Sequence, residues 1–360
     1  MIRNPVKRIL VAPLDWGLGH AARCVPIVRM LLERGHEVMI AGSHPLLCEV
    51  FPGLPVLPLV RYDMTYGASP AALMLKFPFM AARVLLRARQ EHRQLEALVR
   101  KHKIEAVISD QRFGCYTRLV PCTYISHQLC VKMPAGFGLL ERVMARALRF
   151  AAGRFDVLWV PDFPGPGNLT GNLTRKYPLP PNHRFIGILS RVGENSQADA
   201  AEKCDLLAMI SGPEPQRTIF EKQVLSQIVR FPGRAIVLLG RPGTEVTGTF
   251  PPNIAVHSHL PLPRIEALLK GADAIICRGG YTTIMELVAL KKNAVLIPTP
   301  GQTEQEYLCE RLSKAGWFVS MTQAEFNFET AVALLKRAQG APVFENSRPL
   351  LTGALESLGL

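Results

Sequence analysis

Short apolar runs alternate along this chain with longer segments in which apolar residues recur at helical spacing. Apolar runs bounded by Gly, Pro or Asp are typical of strands buried in a parallel sheet. The alternation occurs twice, so the pattern predicts two series of βαβ units. The first series has predicted strands at Arg8–Leu14, Glu37–Ala41, Pro55–Leu59, Ala106–Ser109, Thr123–Ser126 and Val157–Val160.

The second series predicts strands with helices between most of them. Its predicted strands are Leu206–Ile210, Ala235–Leu239, Ala255–Ser258, Ala274–Cys277, Ala294–Pro298 and Trp317–Met321. Its predicted helices are Gln216–Val229, Leu262–Lys270, Tyr281–Leu290 and Thr303–Lys314. Two doubly wound α/β domains facing a central cleft would account for both series, with ligands held at the carboxyl ends of the strands.

Turn-forming and polar residues are concentrated between the two series and predict the joint between domains. We expect an N-terminal Rossmann-like domain at 1–189, a linker at 190–204 and a C-terminal Rossmann-like domain at 205–342. A last helix at 343–360 would pack back on the N-terminal domain.

The formal net charge of +13 implies attraction to anions. Nucleic acid is disfavoured as the partner, because the basic residues are not interleaved with a stacking platform and aromatic residues make up only 7% of the chain. The apolar runs are shorter than the roughly 20 residues that span a bilayer, and the first residues lack the pattern of a signal peptide. These features predict a cytoplasmic protein.

Two predicted basic amphipathic helices in the first half, at 77–102 and 139–151, suit either contact with an anionic membrane or simple packing with a solvated basic face. Contact with an anionic membrane would place the protein at the inner face of that membrane.

The segment Cys277–Glu286 has the features of an anion site, because a buried strand runs through Arg278, Gly279 and Gly280 into a helix that begins with hydroxyl-bearing residues. Tyr281, Thr282 and Thr283 form the first turn of that predicted helix. Glu286 falls on the same helix face, where a carboxylate suits the two hydroxyls of a ribose. Phosphate and ribose together indicate a nucleotide.

Three further loops join strands to helices in the second half. One carries amides and carboxylates that suit sugar hydroxyls, at Gln302, Glu304 and Gln305. Another places Gly212 and Arg217 where a diphosphate would be held, and a third brings His259 and Leu260 toward a base.

These motifs resemble the C-terminal donor domain of the family 28 glycosyltransferases, whose fold is GT-B. The resemblance implies that the segment from Arg278 to Thr282 contacts a nucleotide diphosphate, and that Glu286 binds the ribose. It also implies that the loop from Gln302 to Gln305 contacts the donor sugar, and that His259 and Leu260 lie against uracil. The Pro-rich segment after Gly212 departs from the Gly-Ser-rich form usual in the family.

A Gly-rich turn in the first half, with Gly17, Gly19 and His20, follows the first predicted strand. Ala22 stands where a dinucleotide fingerprint has its third glycine, so hydride transfer is disfavoured. The turn resembles the family's N-terminal loop that faces the acceptor and the donor diphosphate. His20 suits either a general base or a hydrogen-bonding helix cap. Asp110 and His127, at the ends of two further predicted strands, are additional candidates.

The resulting hypothesis is an inverting glycosyltransferase that moves a hexose or N-acetylhexosamine from a UDP-sugar to a lipid-linked or other hydroxyl acceptor. No cofactor is expected beyond the nucleotide-sugar co-substrate. No metal is expected either, because the chain has no Asp-x-Asp pair of the kind that holds a metal on a nucleotide diphosphate. The alternatives are a nucleotide-sugar epimerase and a non-catalytic nucleotide-sugar-binding membrane adaptor.

Overall fold

A computed structural model describes residues 5–15, 18–62, 70–133, 136–192, 201–336 and 338–360, apart from the side chains of residues 70–78, 80 and 81. Gly17 and most of the predicted linker, residues 193–200, lie outside the described residues. The chain divides into two compact units. Unit 1 comprises Met1–Arg191 with Glu345–Leu360, and unit 2 comprises Val192–Phe344.

Unit 1 contains a parallel seven-stranded sheet with helices in the connections between its strands. The strands are β1 (Arg8–Pro13), β2 (Glu37–Ala41), β3 (Val56–Leu57), β4 (Ala106–Asp110), β5 (Cys122–Ile125), β6 (Val157–Val160) and β7 (His183–Phe185). Their order in the sheet is β3-β2-β1-β4-β5-β6-β7. The helices between them are α1 (Leu18–Glu33), α2 (Leu47–Val50), α3 (Pro70–His102), α4 (Gly138–Ala152) and α5 (Asn172–Arg175).

Unit 2 contains a parallel six-stranded sheet of the same kind. The strands are β8 (Cys204–Met209), β9 (Ala235–Leu238), β10 (Ile254–His257), β11 (Ala272–Cys277), β12 (Val295–Leu296) and β13 (Val319–Ser320), in the order β10-β9-β8-β11-β12-β13. The helices are α6 (Gln216–Ile228), α7 (Leu262–Gly271), α8 (Tyr281–Ala289), α9 (Thr303–Lys314) and α10 (Phe328–Leu335).

The last helix, α11 (Ser347–Glu356), belongs to unit 1, where it packs against β7. The Ser347 hydroxyl accepts a 2.9 Å hydrogen bond from the Ile188 amide, and Arg348 donates to Glu33 of α1 at 2.7 Å. Gly187 makes room for this contact, because a Cβ there would lie 2.5 Å from the Cβ of Ser347.

The prediction of two doubly wound parallel sheets is confirmed, since both sheets have the strand order of a Rossmann-like domain. The central strands of both sheets are buried on both faces, which is why their apolar runs were visible in the sequence. Among the described residues, no helix is both long and apolar enough to cross a bilayer.

Candidate functional site

His20 and Asp110 meet at the carboxyl ends of two neighbouring strands in unit 1. Strand β1 pairs with β4 so that Pro13 lies beside Asp110, and α1 begins shortly after β1 with His20 in its first turn. His20 Nδ1 lies 2.9 Å from Asp110 Oδ2, and Asp110 is fully buried. The structure thus brings together two residues that are 90 positions apart in the sequence.

Arg23 links this pair to His127, which follows the end of β5 in the same sheet. Its Nε donates to Asp110 Oδ2 at 2.8 Å, and a terminal nitrogen donates to Asp110 Oδ1. Its other terminal nitrogen lies 2.8 Å from His127 Nδ1. Arg23 is only 1% exposed. His20, Asp110 and His127 are therefore parts of one buried polar cluster.

Burial and the charges of this cluster shift the pKa of both His20 and Asp110. Burial by itself would raise the pKa of Asp110, but Arg23 and His20 outweigh it and lower the value to about 2. The pKa of His20 is lowered, first by burial and then by the positive charge of Arg23, while Asp110 opposes both effects. Asp110 is therefore ionised and His20 neutral near pH 7.

In unit 2, three helices begin at the carboxyl ends of neighbouring strands. Helix α6 follows β8, α8 follows β11 and α9 follows β12, and β11 lies between β8 and β12. None of these three helices has a hydrogen bond from a side chain at its N-cap. Helix N-termini attract anions through their amide groups and dipole. The three loops thus form the candidate anion site that the sequence predicts.

The two glycines of the α8 turn have different surroundings. A Cβ on Gly279 would lie 2.2 Å from Cys309 Sγ of α9, so this glycine allows the two helices to pack. A Cβ on Gly280 would meet no atom of the described residues within 4 Å. On α8 itself, Glu286 is 2% exposed, and Thr282 and Thr283 are half-buried.

The loop before α9 is shaped by its own side chains. Gln305 Oε1 accepts from the Thr299 amide at 2.9 Å, and the amide group of Gln305 donates to Gln302. Glu306 Oε1 accepts from the Gly301 amide, also at 2.9 Å. Glu304 lies in the first turn of α9 and is half-buried.

The predicted base-binding residues lie farther along the same sheet edge. His259 is half-buried and Leu260 is buried, just after the end of β10. Because β10 is three strands from β11 in the sheet, this stretch is separated from the α8 turn by about 14 Å.

Comparisons with known proteins agree with this architecture. Residues 253–348 match the family described as "Glycosyltransferase family 28 C-terminal domain". An "Uncharacterized glycosyltransferase" of Methanosarcina acetivorans is 25% identical, with 86% of this chain and 82% of the relative covered. A Pasteurella multocida protein named "UDP-N-acetylglucosamine--N-acetylmuramyl-(pentapeptide) pyrophosphoryl-undecaprenol N-acetylglucosamine transferase" is 23% identical, with 91% of this chain and 88% of the relative covered.

A solved structure shows the same fold along nearly the whole chain. It is the Streptomyces sp. SF2575 glycosyltransferase SsfS6, complexed with thymidine diphosphate, with a TM-score of 0.58, 16% identity and coverage of 97% of this chain and 96% of that one. The chain is a family 28-like GT-B glycosyltransferase. Enzymes of this kind take their sugar from a nucleotide-sugar donor.

Arg278 of the glycosyltransferase differs from its prediction as a diphosphate contact. It is 2% exposed, packs over the ring of Phe220 at 4.2 Å and donates to Gln323 Oε1 at 2.6 Å. Its remaining donors go to the main-chain carbonyls of Ser211, Gln216, Ile297 and Pro298. Burial lowers its pKa to about 10. With all five N–H groups used, Arg278 holds the α6 and α9 loops together, and its side chain has no donor left for a phosphate.

Arg217, also predicted to lie beside a diphosphate, pairs with two carboxylates. Its Nε donates to Glu214 at 2.7 Å, and a terminal nitrogen lies 2.5 Å from Glu221. Arg241 also pairs with Glu221, at 3.2 Å. The carboxylates hold Arg217 at the first turn of α6, and its contact with a diphosphate stays a prediction. Gly212 keeps its place in the predicted loop, with a φ of +108° that side chains rarely adopt.

Thr299 was not predicted as a site residue of the glycosyltransferase. Its hydroxyl is buried and has no hydrogen-bond partner among the described residues, and a Cβ on Gly212 would lie only 3.2 Å from it. A buried hydroxyl without a partner costs free energy unless a ligand or water satisfies it. Thr299 was missed because nothing in the sequence marks an atom as unpartnered. Arg23 was missed because a lone arginine among apolar helix residues gives no sign of its partners.

Proposed function

We propose that the enzyme is an inverting, metal-independent hexosyl- or N-acetylhexosaminyltransferase that uses a UDP-sugar and a lipid-linked hydroxyl acceptor. The name of the Pasteurella multocida relative supports the UDP-sugar and the lipid-linked acceptor. The remaining support comes from the chemistry of the two candidate sites.

The observation that carries the proposal is the unpartnered hydroxyl of Thr299 among three helix N-termini in unit 2. A diphosphate beside Gly212 and Gly280 would accept a hydrogen bond from this hydroxyl and from helix amides. Gly212 permits a close approach because any side chain there would crowd Thr299. The helix dipoles would stabilise the negative charge of the departing diphosphate. In other enzymes a metal ion stabilises that charge.

Glu286 is the proposed ligand of the ribose hydroxyls. Its carboxylate lies on α8, one turn after Thr282 and Thr283, which are proposed to face the phosphates. An ionised carboxylate accepts from both ribose hydroxyls and makes charge-assisted hydrogen bonds stronger than neutral ones.

His20 is the proposed general base. Its Nδ1 is directed at Asp110, so the ring takes up a proton at Nε2. The acceptor hydroxyl gives its proton to Nε2, and its oxygen forms a bond to the anomeric carbon. The bond from that carbon to the diphosphate oxygen breaks, and UDP leaves with the electron pair. Attack from the face opposite the leaving group inverts the anomeric configuration.

Nucleotide binding by unit 2 is tested through thermal stability in the presence of EDTA. UDP at about 100 times its dissociation constant should stabilise the fold by about 2.7 kcal/mol, and GDP and dTDP should stabilise it less.

Glu286→Gln should weaken UDP binding about tenfold through the loss of the charge-assisted bonds. Glu329→Gln, an exposed carboxylate on α10, is the matched control. A failure of every nucleotide to stabilise the enzyme would contradict the proposal, and a requirement for a divalent cation would contradict metal independence.

Thr299→Val separates binding from folding. Valine has nearly the same shape and removes a hydroxyl that has no partner, so the unliganded enzyme should be as stable as the wild type or more stable. The dissociation constant of UDP, measured by calorimetry, should nevertheless rise about tenfold. Unchanged UDP affinity would exclude the hydroxyl as a phosphate ligand.

The exposed face of α4 supports an acceptor at a membrane. Leu139, Val143 and Phe150 lie on one face of this helix and are 76%, 53% and 69% exposed. Arg142 and Arg146 beside them are exposed as well. Apolar side chains bordered by arginines suit the boundary between acyl chains and anionic headgroups.

The double variant Leu139→Ser/Phe150→Ser tests this membrane contact. The wild type should float with vesicles that contain phosphatidylglycerol, and less so at high salt. The variant should bind at least about tenfold more weakly, because each of the two side chains contributes about 1.5 to 3 kcal/mol when it leaves water. Ile219→Ser/Val343→Ser, two exposed apolar residues of unit 2, is the control and should bind like the wild type. Equal flotation of the two double variants would argue against α4 as the contact.

A further inference from the structure

Arg278 is a buried cation whose hydrogen-bond acceptors are all neutral. Among the described residues, these acceptors are four main-chain carbonyls and the side-chain oxygen of Gln323, at 2.6 Å. The guanidinium also lies 4.2 Å from the centre of the Phe220 ring. No carboxylate in the described part of the chain pairs with it. An arginine that is only 2% exposed normally has a counter-ion.

The charge of Arg278 is therefore left without compensation inside unit 2. Burial lowers the pKa of Arg278 to about 10, so the side chain is still charged at pH 7. The titratable group of the described residues that acts on this charge is the Cys309 thiol. Burial raises the pKa of that thiol to about 12, so it is neutral at the same pH. A buried charge without a counter-ion is costly, and a bound anion would lower that cost.

This charge lies one peptide group away from both residues that are proposed to meet the diphosphate. Arg278 Nε donates at 3.3 Å to the carbonyl of Ser211, the residue before Gly212. A terminal nitrogen donates at 3.2 Å to the carbonyl of Pro298, the residue before Thr299. The two loops meet there, because a Cβ on Gly212 would lie 3.2 Å from the Thr299 hydroxyl.

The bond to Ser211 also orients the Gly212 amide. In a planar trans peptide the C=O and N–H groups point in opposite directions. Since the Ser211 carbonyl points at Arg278, the Gly212 N–H group points away from the guanidinium. That N–H group donates to no acceptor among the described residues. It is therefore a donor for an anion on the other side of the loop from Arg278.

We infer that Arg278 and Gln323 are positioning residues that give the diphosphate site a net positive charge without touching the ligand, an inference that rests on the proposed diphosphate site. Arg278 supplies the charge and orients the Gly212 amide. Gln323 accepts a hydrogen bond from Arg278 without cancelling that charge, whereas a glutamate at this position would cancel it. The affinity of the site consequently depends on the negative charge of the ligand.

Gln323→Glu tests the charge with little change in shape. Its ligands are uridine, UMP and UDP, whose negative charge increases in that order, with UDP and UMP titrated by calorimetry and uridine by NMR. The affinity for UDP should fall at least about tenfold and that for uridine less than about twofold, with UMP in between. The unliganded variant should melt no lower than the wild type, because the guanidinium gains a counter-ion. Equal losses for all three ligands, or an unchanged affinity for UDP, would overturn the inference.

Two variants of Arg278 separate its charge from its hydrogen bonds. Arg278→Lys keeps the charge with fewer donors, so the three ligands should weaken together and the ratio of UDP affinity to uridine affinity should stay within about threefold of the wild type. Arg278→Met removes the charge, so this ratio should fall at least about tenfold. A ratio that falls as far in Arg278→Lys as in Arg278→Met would refute a role for the charge. If Arg278→Met does not fold, the comparison of Arg278→Lys with Gln323→Glu decides.

Gln339→Glu is the matched control, because it adds the same charge at an exposed glutamine of unit 2. It should bind all three ligands like the wild type. A loss of UDP affinity in this control equal to that in Gln323→Glu would show that the total charge of the unit matters and not the charge at Arg278.

Inorganic pyrophosphate separates the inference from the proposed function, because it tests the site without a nucleotide. It should raise the melting temperature of the wild type and should raise that of Gln323→Glu much less. If UDP does not bind the wild type but pyrophosphate shows this difference, the proposed UDP-sugar donor fails and the inference stands. If pyrophosphate stabilises neither protein, or both equally, the inference fails, and UDP binding still decides the proposed function.

Discussion

Replacement of His20 by alanine is expected to lower kcat by about 10²- to 10⁴-fold, because a positioned general base contributes that much to proton transfer. The donor should bind as before, since UDP is proposed to bind unit 2 and His20 belongs to unit 1. The measurement is initial-rate release of UDP with acceptor in excess, together with calorimetric UDP affinity. His183→Ala is the control, because this half-buried histidine of unit 1 bonds to the Pro180 carbonyl, away from the cluster.

Asp110→Asn should be nearly as damaging although it keeps the size of the side chain. An asparagine that turns its NH₂ group toward His20 Nδ1 requires that nitrogen to be bare, so the ring proton moves to Nε2 and the base is lost. Because the two residues act as one unit, His20→Ala/Asp110→Asn should be little worse than His20→Ala alone. Multiplicative effects of the two changes would contradict a shared role.

The pH dependence of the wild type follows from the direction of the His20 pKa shift. Burial and Arg23 lower that pKa, so the ring stays neutral through pH 7 and down to values below its usual pKa. The rate kcat/KM should be level above the lowered pKa and should fall as pH decreases through it. A limb at or above the usual pKa of about 6.5 would show that another group titrates.

The sequence predicts the elements of this fold well because local pattern and buried position agree. Helix α9 begins at Thr303 and ends at Lys314, as predicted. Its acidic first turn and basic last turn complement the helix dipole, which reinforces the apolar periodicity. Strand β7 was missed because His183–Phe185 is a three-residue edge strand with a partly exposed, mixed pattern.

The chemistry of single side chains was harder to predict. The position of Arg278 in a glycine turn suggests a ligand contact, but its acceptors come from loops up to 67 residues away in the sequence. The ion pair of Arg217 could have been predicted from the sequence, because Glu221 stands four residues later on the same helix. His20 was predicted from the Gly-rich turn after the first strand, and Asp110 from the end of another strand. Their contact depends on the pairing of β1 with β4. Sequence patterns predict which residues lie at the carboxyl edge of a sheet. Tertiary contacts decide which of their charges remain available to a ligand.

A second large effect is expected at Arg112, whose side chain joins several parts of unit 1 close to Asp110. Its side chain donates to Glu91 at 2.7 Å and also to Asp15, and all three residues are buried. Further bonds reach the carbonyls of Pro13 at 2.8 Å and Val60 at 3.0 Å. The residue thus ties the ends of β1 and β4 to α3.

Arg112→Met should lower the free energy of unfolding of unit 1 by about 3 to 5 kcal/mol, because it leaves two buried carboxylates without their cation. Hydrogen exchange of peptides from β1, β4 and α3 measures this locally, which matters because a two-unit protein need not unfold in one step. Arg8→Met is the matched control, since Arg8 pairs with Glu37 at 2.7 Å on the surface and should cost less than about 1 kcal/mol.

Neutral partners should rescue the damaged unit if buried charge is the cause. In Arg112→Met/Glu91→Gln/Asp15→Asn no carboxylate is left uncompensated, so much of the lost protection should return even though three polar side chains have changed. A loss in Arg112→Met no larger than in Arg8→Met would show that the network is not what stabilises this part of unit 1. Because Asp110 is the last residue of β4 and Arg112 follows it by two positions, the stabilised network also fixes the strand end from which Asp110 reaches His20.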